Sequence, residues 1–329
     1  MRFTLNPRRV LPIVVAIAAI AIAARVLVRT FRHVSARDVI AQLHTIGGGP
    51  IAIAAVLVLV LYSALAFYEA IIARALAGPV SGRRAMLGAL LAAPIGHVVG
   101  WGTVSGGAIR YRLYRAVLMR PLDIGKFVLL AAMPYPLGLG LMLGLSGVLQ
   151  SEPAAHILGI SPELARGCGL AFLAIHLGYL TLIMKRRGPL VLGQVTMTLP
   201  PPRLTAIQYL VGIIEVTSGA SVLYTLLPEG IAPPFIVFLG VYVLSIIAGL
   251  VSSVPAGLGV FEAVLVTLLP GAPKESLIAA VIAYRFLLEF APFVIAVTLL
   301  VTYEAWWRLP RQRRRRDEQQ REHDRLRDL

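Results

Sequence analysis

Eight apolar segments make up most of this sequence, and several are long enough to cross a lipid bilayer as helices. A helix needs about 20 apolar residues to span the hydrocarbon core. The 329-residue chain is 58% hydrophobic and only 14% charged, whereas a soluble domain is about a quarter charged. The segments are 10–29, 50–75, 86–118, 126–149, 164–184, 205–227, 235–269 and 277–303. This pattern predicts an all-α polytopic membrane protein.

The first segment, residues 10–29, follows arginines as a signal peptide would, but it is long for one and lacks a small-x-small cleavage site. We therefore interpret it as a retained first span. The chain shows no Walker loop, HExxH or GxSxG motif and no Cys/His metal spacing. We expect no enzymatic activity, no catalytic residue, no cofactor and no metal.

The basic residues between the segments predict the topology, because lysine and arginine favour the cytoplasmic side. Residues 185–203 and both termini are basic, and the tail 306–329 is predicted to be a cytoplasmic segment. Both flanks of segment 86–118 are also basic, so this segment is predicted to enter and leave on one side. The same logic makes 235–269 a second re-entrant hairpin. About six full spans and two broken helical hairpins result, in a membrane domain of residues 1–305.

An internal repeat follows from the spacing. A shift of 152 residues places the first four segments close to the last four and moves Gly107 onto Gly259 and Arg110 onto Glu262. The halves, about 10–150 and 162–303, would start on opposite sides of the membrane. Inverted repeats with broken helices near the midplane are a transporter design.

The stretch GWGTVSGGAIRYRLYR, residues 100–115, places glycines beside three arginines. An unwound backbone inside a bilayer needs protein or a wet cavity around it. We expect Gly106 and Gly107 to form a tight turn, and Arg110 and Arg112 to hold a phosphate through forked hydrogen bonds. Alternatively, these arginines are only cytoplasmic anchors.

The second break, SSVPAGLGVFEA, has Pro255 and Gly257 to end one half-helix, and Glu262 lies one turn into the next. Glu262 is costly in lipid unless it is paired or wetted; alternatively, it is an external interfacial residue.

Further charges lie inside apolar segments: Glu69, Glu215, Arg285 and Glu289. Arg285 and Glu289 stand four residues apart and could pair on one helical face. Glu69 and Glu215 need a basic group from another helix, for which the hairpin arginines are candidates. We interpret His97 as a packing residue; alternatively, it is a proton carrier.

The motifs GGAIRYRLYR at 106–115 and VPAGLGVFEAVL at 254–265 resemble the transmembrane flippase-like domain of the lysylphosphatidylglycerol synthase/flippase family, which includes stand-alone members without the synthase half. The resemblance covers about residues 10–305 and implies a domain that handles aminoacylated or otherwise modified phospholipids between leaflets. It implies no synthase activity. The residues that match the motifs are Gly106, Gly107, Arg110, Tyr111, Arg112, Pro255, Gly257, Gly259 and Glu262.

The sequence therefore predicts a lipid flippase of a bacterial inner membrane, with membrane phospholipids bearing an anionic headgroup as partners and no nucleic acid. The predicted binding residues are Gly106, Gly107, Arg110, Tyr111, Arg112, Glu262, Glu69, Glu215, Arg285 and Glu289. Two other functions remain open: a scaffold for an envelope lipid- or glycan-modifying enzyme, and an ion or small-solute transporter.

Overall fold

The computed structural model describes residues 41, 44–99, 102–185, 190–192, 195–197, 199–228, 230, 232–251, 257–269 and 274–303. Its helices are α1 (Gly48–Ala75), α2 (Gly82–Val99), α3 (Gly102–Arg115), α4 (Pro121–Ala132), α5 (Pro134–Leu149), α6 (Ser151–Leu158), α7 (Pro162–Lys185), α8 (Pro202–Leu226), α9 (Phe235–Val251), α10 (Val260–Leu268) and α11 (Lys274–Arg285). A π-helical turn, Phe286–Phe290, continues α11 into helix through residue 303. Two short antiparallel strands, β1 (Leu190–Leu192) and β2 (Val195–Met197), lie in the basic loop after α7.

Five stretches of the described chain are long and apolar enough to cross a membrane. They are Gly48–Ala75, Pro121–Leu149, Pro162–Lys185, Pro202–Leu226 and Ser276–Tyr303. The protein is therefore a helical membrane protein, as the hydropathy predicts, and these bounds agree with five of the eight predicted segments. The predicted span at 10–29, the tail 306–329 and Pro255 lie outside the described residues.

Helices α1 and α8 pack against each other and form the centre of the bundle. Helix α8 is the most buried of the candidate spans, and α5 crosses it with its backbone in contact at Gly138 and Gly212. A β-carbon at either glycine would overlap the other helix. Small residues allow such close approach, which contributes much of the packing energy between helices in lipid.

The first hairpin consists of α2 and α3, which pack antiparallel. Gly88 near the start of α2 contacts the ring of Tyr114 near the end of α3, and Ala92 contacts Gly106. The predicted interruption of segment 86–118 is present, but its predicted position is wrong. Gly106 and Gly107 lie inside α3, while the helices end at Val99 and begin again at Gly102. Glycine suits this position because it lets two helices approach, so no turn forms there.

The second hairpin consists of α9 and α10, interrupted after Val251 as predicted. The backbones of Gly249 and Gly257 are in contact, and the rings of Tyr242 and Phe261 lie 5.9 Å apart. Gly257 and Gly259 have φ of +61° and +80°, a conformation that disfavours residues with a β-carbon. These two glycines therefore end the break and start α10.

The helix bounds repeat at the predicted spacing. Shifting α1, α2 and the span Pro121–Leu149 by 152 gives 200–227, 234–251 and 273–301, close to the observed Pro202–Leu226, Phe235–Val251 and Ser276–Tyr303. The break between α4 and α5 at Met133 maps onto Arg285, where the π-helical turn begins. Three helical stretches of the first part of the chain therefore have counterparts of similar length at this spacing in the second part, whereas α3 and α10, with 14 and 9 residues, differ in length.

Candidate functional site

A cavity of about 550 Å³ lies inside the bundle, between the two hairpins and the helices that surround them. Its polar lining comes from residues spread over the whole chain: Tyr68, Glu69, His97, Arg110, Tyr135, Glu215, Tyr242, Tyr284, Arg285 and Glu289. Charged groups inside a membrane domain are costly and mark binding or transport pathways. The cavity is therefore the candidate functional site.

On one wall, Arg110 of α3 reaches across to Glu69 of α1. The Arg110 Nε donates a hydrogen bond of 2.9 Å to Glu69 Oε1, and a terminal guanidinium nitrogen contacts the same oxygen. The Tyr114 hydroxyl donates to Glu69 Oε2 at 3.1 Å. Both charged side chains are buried, so this pair fastens the first hairpin to α1. The predicted need of Glu69 for a hairpin arginine is met here.

In a second cluster of charged residues at the cavity, Arg285 binds two carboxylates. Its Nε donates to Glu262 Oε1 at 2.6 Å, and its Nη1 lies 3.1 Å and 3.2 Å from the oxygens of Glu289. The predicted pairing of Arg285 with Glu289 is present. Glu262 Oε2 also accepts the backbone N–H of Gly259 at 2.7 Å and so caps α10. Glu262 is thus an ion-pair partner and a helix cap.

Glu215 has a different environment. It lies near the middle of α8 and is buried. Its carboxylate accepts no hydrogen bond from the described residues, and its ion-pair contact there is His97 Nε2, at 4.0 Å. The His97 Nδ1 lies 3.5 Å from the Tyr62 hydroxyl, which donates to the carbonyl of Leu288 at 2.9 Å. His97 therefore does more than pack: it faces the cavity beside a carboxylate without a guanidinium partner.

The described residues give the site an excess of acidic groups. Three carboxylates, of Glu69, Glu215 and Glu289, line the cavity together with two guanidinium groups, of Arg110 and Arg285, and Glu262 pairs with Arg285 from outside the lining. Both arginines are already bound to carboxylates. The binding of a phosphate by Arg110 stays a prediction; in this structure its Nε and one terminal nitrogen contact Glu69.

Several residues predicted for the site are not in the cavity lining. Tyr111 is exposed, and Arg112, Gly106, Gly107, Gly259 and Glu262 contribute no lining surface. Gly106 has a structural role instead: a β-carbon there would lie 2.9 Å from Arg110 Nη1 and 3.0 Å from the carbonyl oxygen of Ala92. Gly106 therefore leaves room for the buried guanidinium.

Aromatic residues form a part of the site that the sequence argument missed. Tyr68, Tyr135, Tyr242, Phe261 and Tyr284 line the cavity. The hydroxyls of Tyr242 and Tyr284 are 2.8 Å apart, and Gly219 leaves space for the Tyr242 hydroxyl. A tyrosine in the middle of a long apolar segment carries a hydroxyl that needs a partner, and this signal could have found them.

The chain is 30% identical to the uncharacterized protein slr0712 of Synechocystis over 211 residues, 64% of this chain and 66% of that protein. It is 29% identical to the inner membrane protein YbhN of Escherichia coli over 214 residues, 61% of this chain and 64% of YbhN. The chain is a homologue of these two proteins. The matches span slightly less than two thirds of each relative's length.

The chain is also similar in sequence to a short part of a larger protein. Over 92 residues it is 36% identical to the phosphatidylglycerol lysyltransferase of Staphylococcus epidermidis, which covers 27% of this chain and 11% of that protein. No protein-family model matches the chain. Homology and apolar helices together support a membrane protein related to YbhN, with partial similarity to a lipid-modifying protein.

Proposed function

We propose that this protein moves phospholipids between the leaflets of a bacterial inner membrane. The lipid headgroup would enter the cavity while its acyl chains stay in the bilayer. The observation that carries the proposal is the cavity itself, which places three carboxylates and two guanidinium groups inside a membrane domain. Its volume of about 550 Å³ lies within the range of about 300–1,000 Å³ typical of small-molecule sites.

We infer a headgroup that carries an ammonium group, in place of the anionic headgroup expected from the sequence. The arginines of the cavity are paired, whereas Glu215 has no guanidinium partner in the part of the chain that the structure describes. The rings of Tyr135, Tyr242 and Tyr284 line the same space, and aromatic faces attract ammonium groups. The short similarity to phosphatidylglycerol lysyltransferases agrees with an aminoacylated lipid as one candidate.

We infer alternating access from the repeat. Two halves in opposite orientation, each with one re-entrant hairpin, would expose the cavity to each leaflet in turn. The proposed topology has six full spans, including residues 10–29, with both termini in the cytoplasm. The proposal assigns no catalytic residue to the chain.

The test uses the purified protein in liposomes that contain phosphatidylethanolamine or lysylphosphatidylglycerol. A membrane-impermeant amine reagent measures how fast inner-leaflet headgroups reach the outer surface. We expect transfer faster than in empty liposomes for the wild type, and a loss of this acceleration in Arg110→Ala. Arg112→Ala, two residues away and outside the cavity, is the matched control and should transfer lipid like the wild type.

Two outcomes would contradict the proposal. Wild-type rates equal to those of empty liposomes with both lipids would contradict lipid transfer. Equal rates of lipid transfer in Arg110→Ala and the wild type would show that Arg110 takes no part in the transfer. Because Arg110→Ala leaves Glu69 unpaired, its folding is checked by thermal unfolding, and Glu215→Gln provides a second, nearly isosteric variant.

A further inference from the structure

Glu215 differs from the other carboxylates of the site because, among the described residues, it has no guanidinium partner and its ion-pair contact is the imidazole of His97 at 4.0 Å. Glu69 binds Arg110, and Glu262 and Glu289 bind Arg285. Glu215 faces the same cavity from the middle of a 25-residue candidate span. An ionised carboxylate in such a place is costly unless it gains a proton or a bound cation.

The groups that face Glu215 come from each helix packed around it. Helix α2 contributes His97, and α1 contributes Tyr62, which contacts His97. The other titratable groups around the cavity are Glu69 and Tyr68 of α1, Arg110 of α3, Tyr135 of α5, Tyr242 of α9, Tyr284 and Arg285 of α11, and Glu289 of the π-helical turn. Of these, the imidazole of His97 is the basic group that approaches Glu215.

We propose that Glu215 and His97 form a proton-binding pair, and that an ammonium headgroup entering the cavity displaces its proton. This inference rests on the proposed function and names the ion exchanged at the same site. In the empty cavity the proton resides on the Glu215 carboxyl group. When an ammonium group pairs with the carboxylate, the proton leaves Oε1 for His97 Nε2 and passes on to cavity water. One positive charge enters the site and one leaves it.

The geometry suits this transfer. The Glu215 Oε1 to His97 Nε2 distance of 4.0 Å needs a shift of about 1 Å to reach hydrogen-bond length. The side chain of His97 is 34% exposed and lines the cavity, whereas that of Glu215 is 8% exposed. His97 is therefore the more accessible of the two groups and provides the exit for the proton. Its Nδ1 contact with the Tyr62 hydroxyl at 3.5 Å keeps the imidazole beside the carboxylate.

The exchange of a proton for the ammonium headgroup also links headgroup binding to the position of the first hairpin. His97 belongs to the first hairpin and Glu215 to the central helix α8. During the exchange, the proton on His97 attracts the Glu215 carboxylate and draws the hairpin towards α8; once the proton has passed to water, the neutral His97 releases the hairpin. The proton can thus bias the position of the hairpin relative to α8.

The first test needs no ligand. Infrared pH-difference spectra of the protein in nanodiscs report protonated carboxyl groups directly. We expect a carboxyl band that titrates in the wild type, disappears in Glu215→Gln and shifts in His97→Gln. The control is Glu152→Gln, at an exposed position of α6, which should leave the band unchanged. A spectrum of Glu215→Gln identical to that of the wild type overturns the proton pair.

The second test uses dihexanoyl phosphatidylethanolamine as the probe. Calorimetric titrations in buffers of different ionisation enthalpy count the protons released on binding. We expect about one proton released by the wild type, none by Glu215→Gln, and, below the midpoint of the carboxyl titration, a wild-type affinity that rises about tenfold per pH unit. Probe binding without proton release overturns the exchange.

The two proposals fail separately. A titrating Glu215 band in a protein that transfers no lipid would contradict the proposed function and leave the proton pair intact. Lipid transfer with unchanged rate and pH dependence in Glu215→Gln would contradict the exchange and the ammonium site at Glu215, and leave lipid transfer itself intact.

Discussion

Glu262 of the second hairpin and Arg285 of the last described span are joined by a hydrogen bond of 2.6 Å between the arginine Nε and the glutamate Oε1. The first hairpin is fastened in a similar way, through Arg110 to Glu69. Arg110 and Glu262 are related by the shift of 152 residues and carry opposite charges. Each half of the chain therefore holds its hairpin with an ion pair, but with the signs of the charges exchanged.

Substitution of Arg285 should lower the free energy of unfolding more than substitution of either of its partners, Glu262 and Glu289. Arg285→Gln leaves two carboxylates beside the cavity without a cation, and breaking a buried pair costs about 3–5 kcal/mol. In Glu262→Gln the arginine keeps Glu289, so the free energy of unfolding should fall less. Unfolding of the purified protein in detergent measures both. Asp123→Asn breaks an exposed pair with Arg120 and should cost about 0–1 kcal/mol; a cost in Arg285→Gln as small as this would contradict the assignment.

Glu69→Gln should destabilise the protein through Arg110, which stays buried without its carboxylate. The expected cost is about 3–5 kcal/mol, and the second substitution Arg110→Gln should recover part of it because no unpaired charge remains. Tyr114→Phe removes a single hydrogen bond to Glu69 and should cost about 1 kcal/mol. Thermal unfolding of the three variants checks this order, and a double variant less stable than Glu69→Gln would contradict it.

Gly138→Ala should force α5 away from α8. A β-carbon at this position would overlap the backbone of Gly212, which cannot move aside as a flexible side chain can. We expect a loss of about 1–3 kcal/mol, the usual cost of overpacking, or failure to fold. Gly178→Ala in α7 is the control, because nothing lies within 4 Å of its β-carbon. Melting temperatures should fall in the first variant and stay equal or rise in the second.

Gly257→Ala tests the break in the second hairpin. The position has φ of +61°, and a β-carbon there would lie 3.0 Å from the Gly249 Cα. The variant should suffer both backbone strain, about 1–2 kcal/mol, and displacement of α10 from α9. Gly159→Ala has a similar φ of +65° with nothing within 4 Å and isolates the strain. Lipid transfer should fall in Gly257→Ala alone, and equal transfer rates in the two variants would argue against a role for this contact.

The secondary structure was largely predictable because hydropathy is a property of short stretches of chain. The spans at Gly48–Ala75 and Pro202–Leu226 and the interruption after Val251 follow from runs of apolar residues and from glycines. The spacing of 152 residues between corresponding helix bounds was also predictable, since it depends only on where these runs begin and end, whereas the inverted repeat inferred from it stays a prediction.

The first hairpin shows where this reasoning failed. Gly106 and Gly107 were predicted to break the helix, yet both are helical. A glycine in a sequence can serve as a turn or as a contact between helices, and the sequence does not tell which. The neighbouring helix decides: the carbonyl of Ala92 and the guanidinium of Arg110 occupy the space that a β-carbon would need.

The sequence by itself determined that this chain spans a membrane as helices and that two segments are interrupted. It also determined that charged residues lie inside apolar segments, where an unpaired charge is costly. Only the tertiary structure decided which charges meet. Arg110 and Glu69 are 41 residues apart, and Glu262 and Arg285 are 23 apart. Hydropathy sums over neighbours along one helix, whereas an ion pair between helices depends on how their faces pack. That packing neutralised both arginines of the cavity and left Glu215 beside His97 with no guanidinium partner among the described residues.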